Sequence, residues 1–454
     1  MSRKKRPFNI SLILLSLWIL VSQACLIPIE PFSSGISKTS LSPRIEAEVV
    51  FRAEVPLHNE EQILYLDILD EVTGLALNPA RFELDRDDDT HYSLHLSIAK
   101  GTFLKYRYLR KSVIPLVEYN AQDQQVRYRS YYVDGPAEIK DFVAGWQDTV
   151  YHGPTGRLQG QVFDGQTNAP LSNMMISVGG YQIVSSEDGT FGIDHLPIGT
   201  HLISVFSKDG DYLPFQQGVL IAEESLTPAT IRLKPLKMVQ VQFNVEMPAN
   251  FATQMPVRIV GNIAILGNTF EDLRGGVNVL ASKAPVMQKS AQEGKYTLLL
   301  KLPAGLDLRY KYTLGDGFWN AELDSSGKFR VRQLIVPDHD IVIDDTIAAW
   351  EVPETKPITF TVDVPENIPG DENIISLQLN PYGWMEPIPM MRLGENSWTY
   401  TLYSPLHLVD EVSYRYCLNG QCETESGASL TEIRTFFPSA TPQRFEDSIN
   451  IDRR

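Results

Sequence analysis

Three cysteines, six tryptophans and eight histidines are the side chains of this 454-residue chain whose chemistry is most specific. Cys417 and Cys422 flank Leu418-Asn419-Gly420-Gln421. Asn-Gly favours a two-residue hairpin turn, because both central residues of a type I′ turn take positive φ. That turn sets Leu418 against Gln421 and Cys417 against Cys422, a close pair with Cα atoms about 4.5 Å apart, which suits a disulfide. A metal site is the rival, but no histidine or further cysteine lies near the pair in sequence. The histidines show no His-x-x-His or Glu-x-x-His spacing, so a zinc site is not expected. Asp85-Arg86-Asp87-Asp88-Asp89 lacks the glycine and distal glutamate of a calcium loop and reads as a solvated hairpin turn. A nucleophile elbow, a P-loop and a dinucleotide fingerprint are missing. Paired carboxylates for glycoside hydrolysis have no barrel pattern to hold them. No catalytic residue, cofactor or metal is therefore expected, and the chain reads as a non-enzyme.

The third cysteine points to export. Arg3, Lys4, Lys5 and Arg6 precede an apolar run from Ile10 to Val21, and Ser22-Gln23-Ala24 comes directly before Cys25. A charged stretch, a short apolar stretch and a small-residue cleavage site make a cleaved signal peptide, and the run falls short of the ~20 residues of a spanning helix. The junction resembles a bacterial lipobox, with Ser22 in place of the usual leucine. The resemblance implies a lipid on Cys25 and a membrane anchor; the alternative is an unmodified cysteine beside an ordinary secretion site. A leftover cysteine after pairing of the other two fits the anchor. The formal charge is −16, and loss of the basic leader leaves about −20, a surface that repels nucleic acid and anionic lipid.

The elements that carry these residues are strands throughout. Tyr106-Arg107-Tyr108-Leu109 recurs as Tyr310-Lys311-Tyr312-Thr313-Leu314 and as Tyr414-Arg415-Tyr416-Cys417-Leu418. Each is preceded by a segment with apolar residues at every second position, namely His91 to Ile98, Lys295 to Leu302 and Ser397 to Leu402, the period of a half-buried strand. Each unit opens on a strand ending at Pro56, Pro248 or Pro365, since proline cannot donate to a ladder. The units close at Asp141 to Trp146, Asp345 to Trp350 and Asp447 to Ile451. Between the first and second copies, residues 156–234 hold short strands cut by Asp164-Gly165, Gly179-Gly180, Asp188-Gly189 and Asp209-Gly210. No helical periodicity or βα alternation is present. The expected fold is all-β, tandem immunoglobulin-like sandwiches after a cleaved signal peptide. The divisions are signal peptide 1–24, tether linker 25–45, first repeat 46–152, inserted module 155–235, second repeat 238–352 and third repeat 356–454.

The second repeat, through Val260-Gly261-Asn262-Ile263-Ala264-Ile265-Leu266-Gly267-Asn268, Leu302-Pro303-Ala304-Gly305 and Arg309-Tyr310-Lys311-Tyr312, resembles a starch-binding domain of carbohydrate-binding module family 20. The first and third copies resemble it through the paired-tyrosine strand and the closing strand. Residues 155–235, with Gly160-Gln161-Val162-Phe163-Asp164, Glu187-Asp188-Gly189-Thr190-Phe191 and Leu196-Pro197-Ile198-Gly199, resemble the carboxypeptidase regulatory-like domain. Starch recognition lays a flat aromatic ring on the C–H face of a glucose and adds amide or charged partners for its hydroxyls. The resemblance carries over to Trp319, with Asn320 and Glu322 as polar partners, in the second repeat, where Thr269 replaces the first tryptophan and Phe270 stands beside it. In the third repeat it carries over to Trp384, with Tyr382, while the second tryptophan is missing. The first repeat lacks both. Trp146, Trp350 and Trp398 lie on predicted strands and read as core; Trp319 and Trp384 lie on predicted loops.

The resulting expectation is an exported, surface-anchored protein that binds starch or another α-glucan without catalysis of its own. One alternative is a β-module stalk whose sugar sites are lost. Another is the accessory region of a glycoside hydrolase whose catalytic domain lies further on in a longer product.

Overall fold

A computed structural model describes residues 45–57, 62–69, 80–249, 251, 253–268, 283–315, 319–351, 355–365, 374–381, 384–403, 411–423 and 434–449. These residues are almost wholly strand and connecting turn; the helical element among them is the three-residue turn Ala264–Leu266. The strands form eight sheets, and every sheet draws its strands from one of four consecutive stretches of chain. The sheets pair into four sandwiches, as the alternating patterns require.

The first, third and fourth sandwiches share one plan. The opening strand Glu46–Glu54 lies antiparallel to His91–Ala99 and parallel to the closing strand Ala137–Phe142. Met238–Glu246 sits likewise between Lys295–Pro303 and Ile341–Thr346, and Ile358–Asp363 between Ser397–Leu402 and Gln443–Ser448. Side chains on these opening strands alternate between exposed and buried, so one face of each sheet packs on the core. The facing sheet is built around the Tyr-x-Tyr strand: Phe103–Arg110, Asp307–Thr313 or Val412–Leu418. A phenylalanine of the opening strand meets the first of these tyrosines edge to face in every copy. Centroids are 5.0 Å apart for Phe51 and Tyr106, 5.2 Å for Phe243 and Tyr310, and 4.9 Å for Phe360 and Tyr414.

The second sandwich sets Thr190–Pro197, Thr155–Asp164, Leu226–Pro235 and Tyr212–Leu213 against Tyr181–Val184, Met175–Val178, Gly199–Phe206 and Phe215–Ile221. The first and second sandwiches each enclose a core of their own. The third and fourth do not: one continuous cluster of buried apolar residues from Val239 to Ile449 runs through both, with Val260 and Ala284 packed apart from it. A smaller cluster of Leu69, Tyr128, Met175 and Phe206, with Phe103 beside it, joins the first sandwich to the second.

Candidate functional site

The paired tyrosines mark a polar cluster that occurs three times, buried in the first and third sandwiches and partly open in the fourth. In the first sandwich the Tyr106 and Tyr108 hydroxyls both donate to Asp141 Oδ2, at 2.8 and 2.9 Å. Arg129 donates to the other Asp141 oxygen at 3.0 Å and to Glu118 at 2.8 Å, while Glu118 also accepts the backbone N–H of Tyr108. In the third sandwich the same roles fall to Tyr310 and Tyr312 on Asp345, and to Arg332 between Asp345 at 2.6 Å and Glu322 at 2.8 Å. In the fourth they fall to Tyr414 and Tyr416 on Asp447, with Arg434 between Glu423 and Asp447.

These clusters span the sandwich. The tyrosines and the arginine stand on one sheet and the aspartate on the closing strand of the other, so each cluster ties the two sheets through charge-assisted bonds. Burial, reinforced by the Asp141 charge, pushes Tyr106 and Tyr108 well above the ordinary phenol range, and burial does the same to Tyr310 and Tyr312. Burial alone would lower the arginines, but Glu118 and Asp141 hold Arg129, and Glu322 and Asp345 hold Arg332, above the usual guanidinium value. Phenols locked as donors and a guanidinium locked between carboxylates form a cross-link between the two sheets.

Glu322 belongs to this cross-link, and its side chain is fully buried. Two more of the residues expected on the sugar surface of that repeat, Trp319 and Asn320, are buried as well. Trp319 is 1% exposed and its indole N–H points at Met385 Sδ of the fourth sandwich, 3.2 Å away. Asn320 adopts φ of +54°, a left-handed conformation that asparagine tolerates. Its amide donates to the Tyr400 hydroxyl at 3.0 Å and to the Thr401 carbonyl at 2.7 Å, and its carbonyl accepts Tyr403 N–H at 2.7 Å. The loop expected to hold a sugar therefore holds the fourth sandwich. Trp319, Asn320 and Glu322 are thus engaged with protein partners, whereas a stacking ring needs an open face and hydroxyl partners need free hydrogen-bonding sites. Phe270 and Tyr382 lie outside the described residues. Trp384 is half-buried, with the Arg415 guanidinium 4.0 Å from its ring centroid; Arg415 is itself held by Gln378 Oε1 and the Glu423 carbonyl.

The hairpin chemistry is as expected. Cys417 pairs with Cys422 and Leu418 with Gln421, Asn419 and Gly420 take φ of +50° and +82°, and the two sulfurs are bonded across Cα atoms 3.9 Å apart. Cys25 lies outside the described residues. Trp146, Trp350 and Trp398 are core residues. The aspartate run is a turn between Asp85–Arg86 and His91–Ala99, where Asp88 accepts the backbone N–H groups of Thr90 and His91. The Thr90 bond, with that from the His91 ring, pulls the Asp88 carboxyl down to about 2. Among the described residues no group of three His, Cys, Asp or Glu side chains converges as metal ligands would. The arginines of the clusters were not singled out in sequence, and of the glutamates Glu322 was read there as a sugar partner, although each follows the tyrosines at a similar interval in all three copies.

The chain matches no family model and no curated protein. Solved structures similar to it include the Bacillus anthracis TIE protein, at 10% identity over 86% of this chain and 69% of that one, with a TM-score of 0.18. A streptococcal ancillary pilin aligns at 11% identity over 66% of this chain and 99% of that one, with a TM-score of 0.24. A family 15 glucoamylase from Hypocrea jecorina aligns at 21% identity over 27% of this chain and 20% of that one, with a TM-score of 0.19. At such TM-scores these likenesses carry no argument about this chain.

Proposed function

We propose that the chain is an exported, surface-tethered and non-catalytic scaffold of starch-binding-like and regulatory-like sandwiches, in which the joints between modules have replaced the family's sugar contacts. The observation that carries this reading is Trp319 and Asn320 at the joint of the third and fourth sandwiches. A stalk needs modules that hold their relative placement under load. A shared core, together with hydrogen bonds from one module's loop to the next module's strand, supplies that rigidity. The tether is the lipid expected on Cys25, which two or more acyl chains would make stable.

The rival reading, α-glucan binding through the third repeat, rests on the half-exposed ring of Trp384. Affinity electrophoresis in amylopectin separates the two. The scaffold reading expects the mature protein to migrate as it does in a sugar-free gel. Retardation that Trp384→Ala abolishes would establish the starch reading instead. Radiolabelled palmitate should enter the wild type and not Cys25→Ser; labelling of neither removes the tether.

A further inference from the structure

A groove of about 410 Å³ opens between the first and second sandwiches, within the roughly 300–1,000 Å³ of ligand clefts. One wall is the turn after Leu116–Tyr119. Asn120 is buried there and shapes the turn, its side-chain oxygen accepting the N–H groups of Gln122 and Gln124 at 3.0 and 3.1 Å. This leaves the Gln122, Gln124 and Gln125 side chains exposed on the rim. The other wall is the pair of edge strands Tyr181–Val184 and Thr190–Pro197 of the second sandwich.

The walls are fixed to each other. Gln182 donates its amide to the Tyr128 carbonyl and Gln122 bonds the His195 ring at 3.0 Å. Gly180, at φ +84°, lets the second sandwich approach so closely that a Cβ there would lie 2.8 Å from Val126.

What the groove offers is unspent amide chemistry. Gln182 and Gln122 each use the amide nitrogen across the joint, which leaves their carbonyl oxygens as acceptors. Gln124 uses its carbonyl on Asn120, which leaves its nitrogen as a donor. Gln125 and Asp194 are exposed lining residues that make no side-chain hydrogen bond within the described chain. Amides donate and accept at once, as hydroxyl groups do. Arg127 and Asp194 both line the groove, so neither sign of charge prevails within it, while the net charge of −16 disfavours anions; the buried state of Tyr181 and Ile193 leaves few apolar pockets for the alternating side chains of an added peptide strand.

We propose that this groove binds a neutral oligosaccharide through Gln124, Gln125, Gln182 and Asp194. The proposal does not rest on the scaffold reading, and it places no sugar on the tryptophans. The test is titration calorimetry of the full mature chain with maltohexaose, cellohexaose, chitohexaose and mannohexaose, alongside an array of unstructured peptides. At least one sugar should bind. The double change Gln125→Ala with Asp194→Ala, both exposed, should weaken that binding about tenfold or more. Gly192→Trp, at a lining position where an added Cβ would meet only Gln159, should weaken it by crowding the groove. Trp384→Ala should leave it unchanged. Binding of none of the four sugars, binding insensitive to the Gln125 and Asp194 changes, or capture of peptides in place of sugars would each overturn the assignment.

Discussion

A buried guanidinium is stable only where its partners satisfy it, and the three clusters grade that condition. Arg332 and its carboxylates are at most 4% exposed, whereas Arg434 and its partners are 16–22% exposed. Removing one member of a buried charged set strands the others in a medium that solvates them poorly, at a cost of about 3–5 kcal/mol, while water relieves much of the cost at a partly open site. Arg332→Met should therefore lower stability by about 3–5 kcal/mol in urea denaturation, and Arg434→Met by clearly less. Equal losses would show that solvent access does not set the cost. The same argument explains why each tyrosine pair donates to an aspartate that also meets the arginine: the carboxylate of one sheet is satisfied by three donors from the facing sheet.

At the scale of elements, the loop after Asp307–Thr313 does the work of a joint. Trp319 fills the seam between the third and fourth sandwiches, and Asn320 makes three bonds to the segment Tyr400–Tyr403. Truncating a buried tryptophan leaves a cavity and costs about 3–5 kcal/mol. Trp319→Ala should lower the melting temperature and bring protease-sensitive sites into both sandwiches together. Asn320→Ala strands a buried amide N–H and a carbonyl, and should cost about 1–3 kcal/mol. If either variant keeps wild-type stability, the loop is not the joint that its contacts describe.

Across the whole molecule, the first and second sandwiches meet over a histidine. His201 is 3% exposed and lies in a crevice that Tyr106, Arg129 and Asp141 of the first sandwich also line. Burial is the main reason its pKa falls below the ordinary value; a bond to the Pro197 carbonyl and the charge of Asp141 oppose the fall, and Arg129 adds to it. A histidine kept neutral in the fold is protonated more readily when unfolded. Its contribution is therefore present above the unfolded pKa near 6.5 and is lost as pH falls below that value. Melting temperatures between about pH 8 and about pH 5 should drop on the acid side, and His201→Gln should flatten part of that slope. A slope identical in the variant would assign the acid sensitivity to other groups. At the same joint the Lys105 ammonium lies 4.9 Å from the Tyr128 ring centroid of its own sandwich and 5.1 Å from that of Phe206 in the second, so one cation bridges aromatic faces of both modules.

Strand identity, the repeat and the hairpin disulfide were legible in the sequence because they rest on local rules: alternation with a period of two, a recurring phrase, and an Asn-Gly turn that sets its flanking cysteines opposite each other. The core assignment of Trp146, Trp350 and Trp398 followed from the same strand pattern. The fate of Trp319, Asn320 and Glu322 was not local. A tryptophan on a loop reads alike whether its ring meets water or the next module, and Glu322 reads as a sugar partner until Arg332 is found beside it. Only the tertiary structure decides such cases, because whether a surface stays exposed depends on what the rest of the chain places against it.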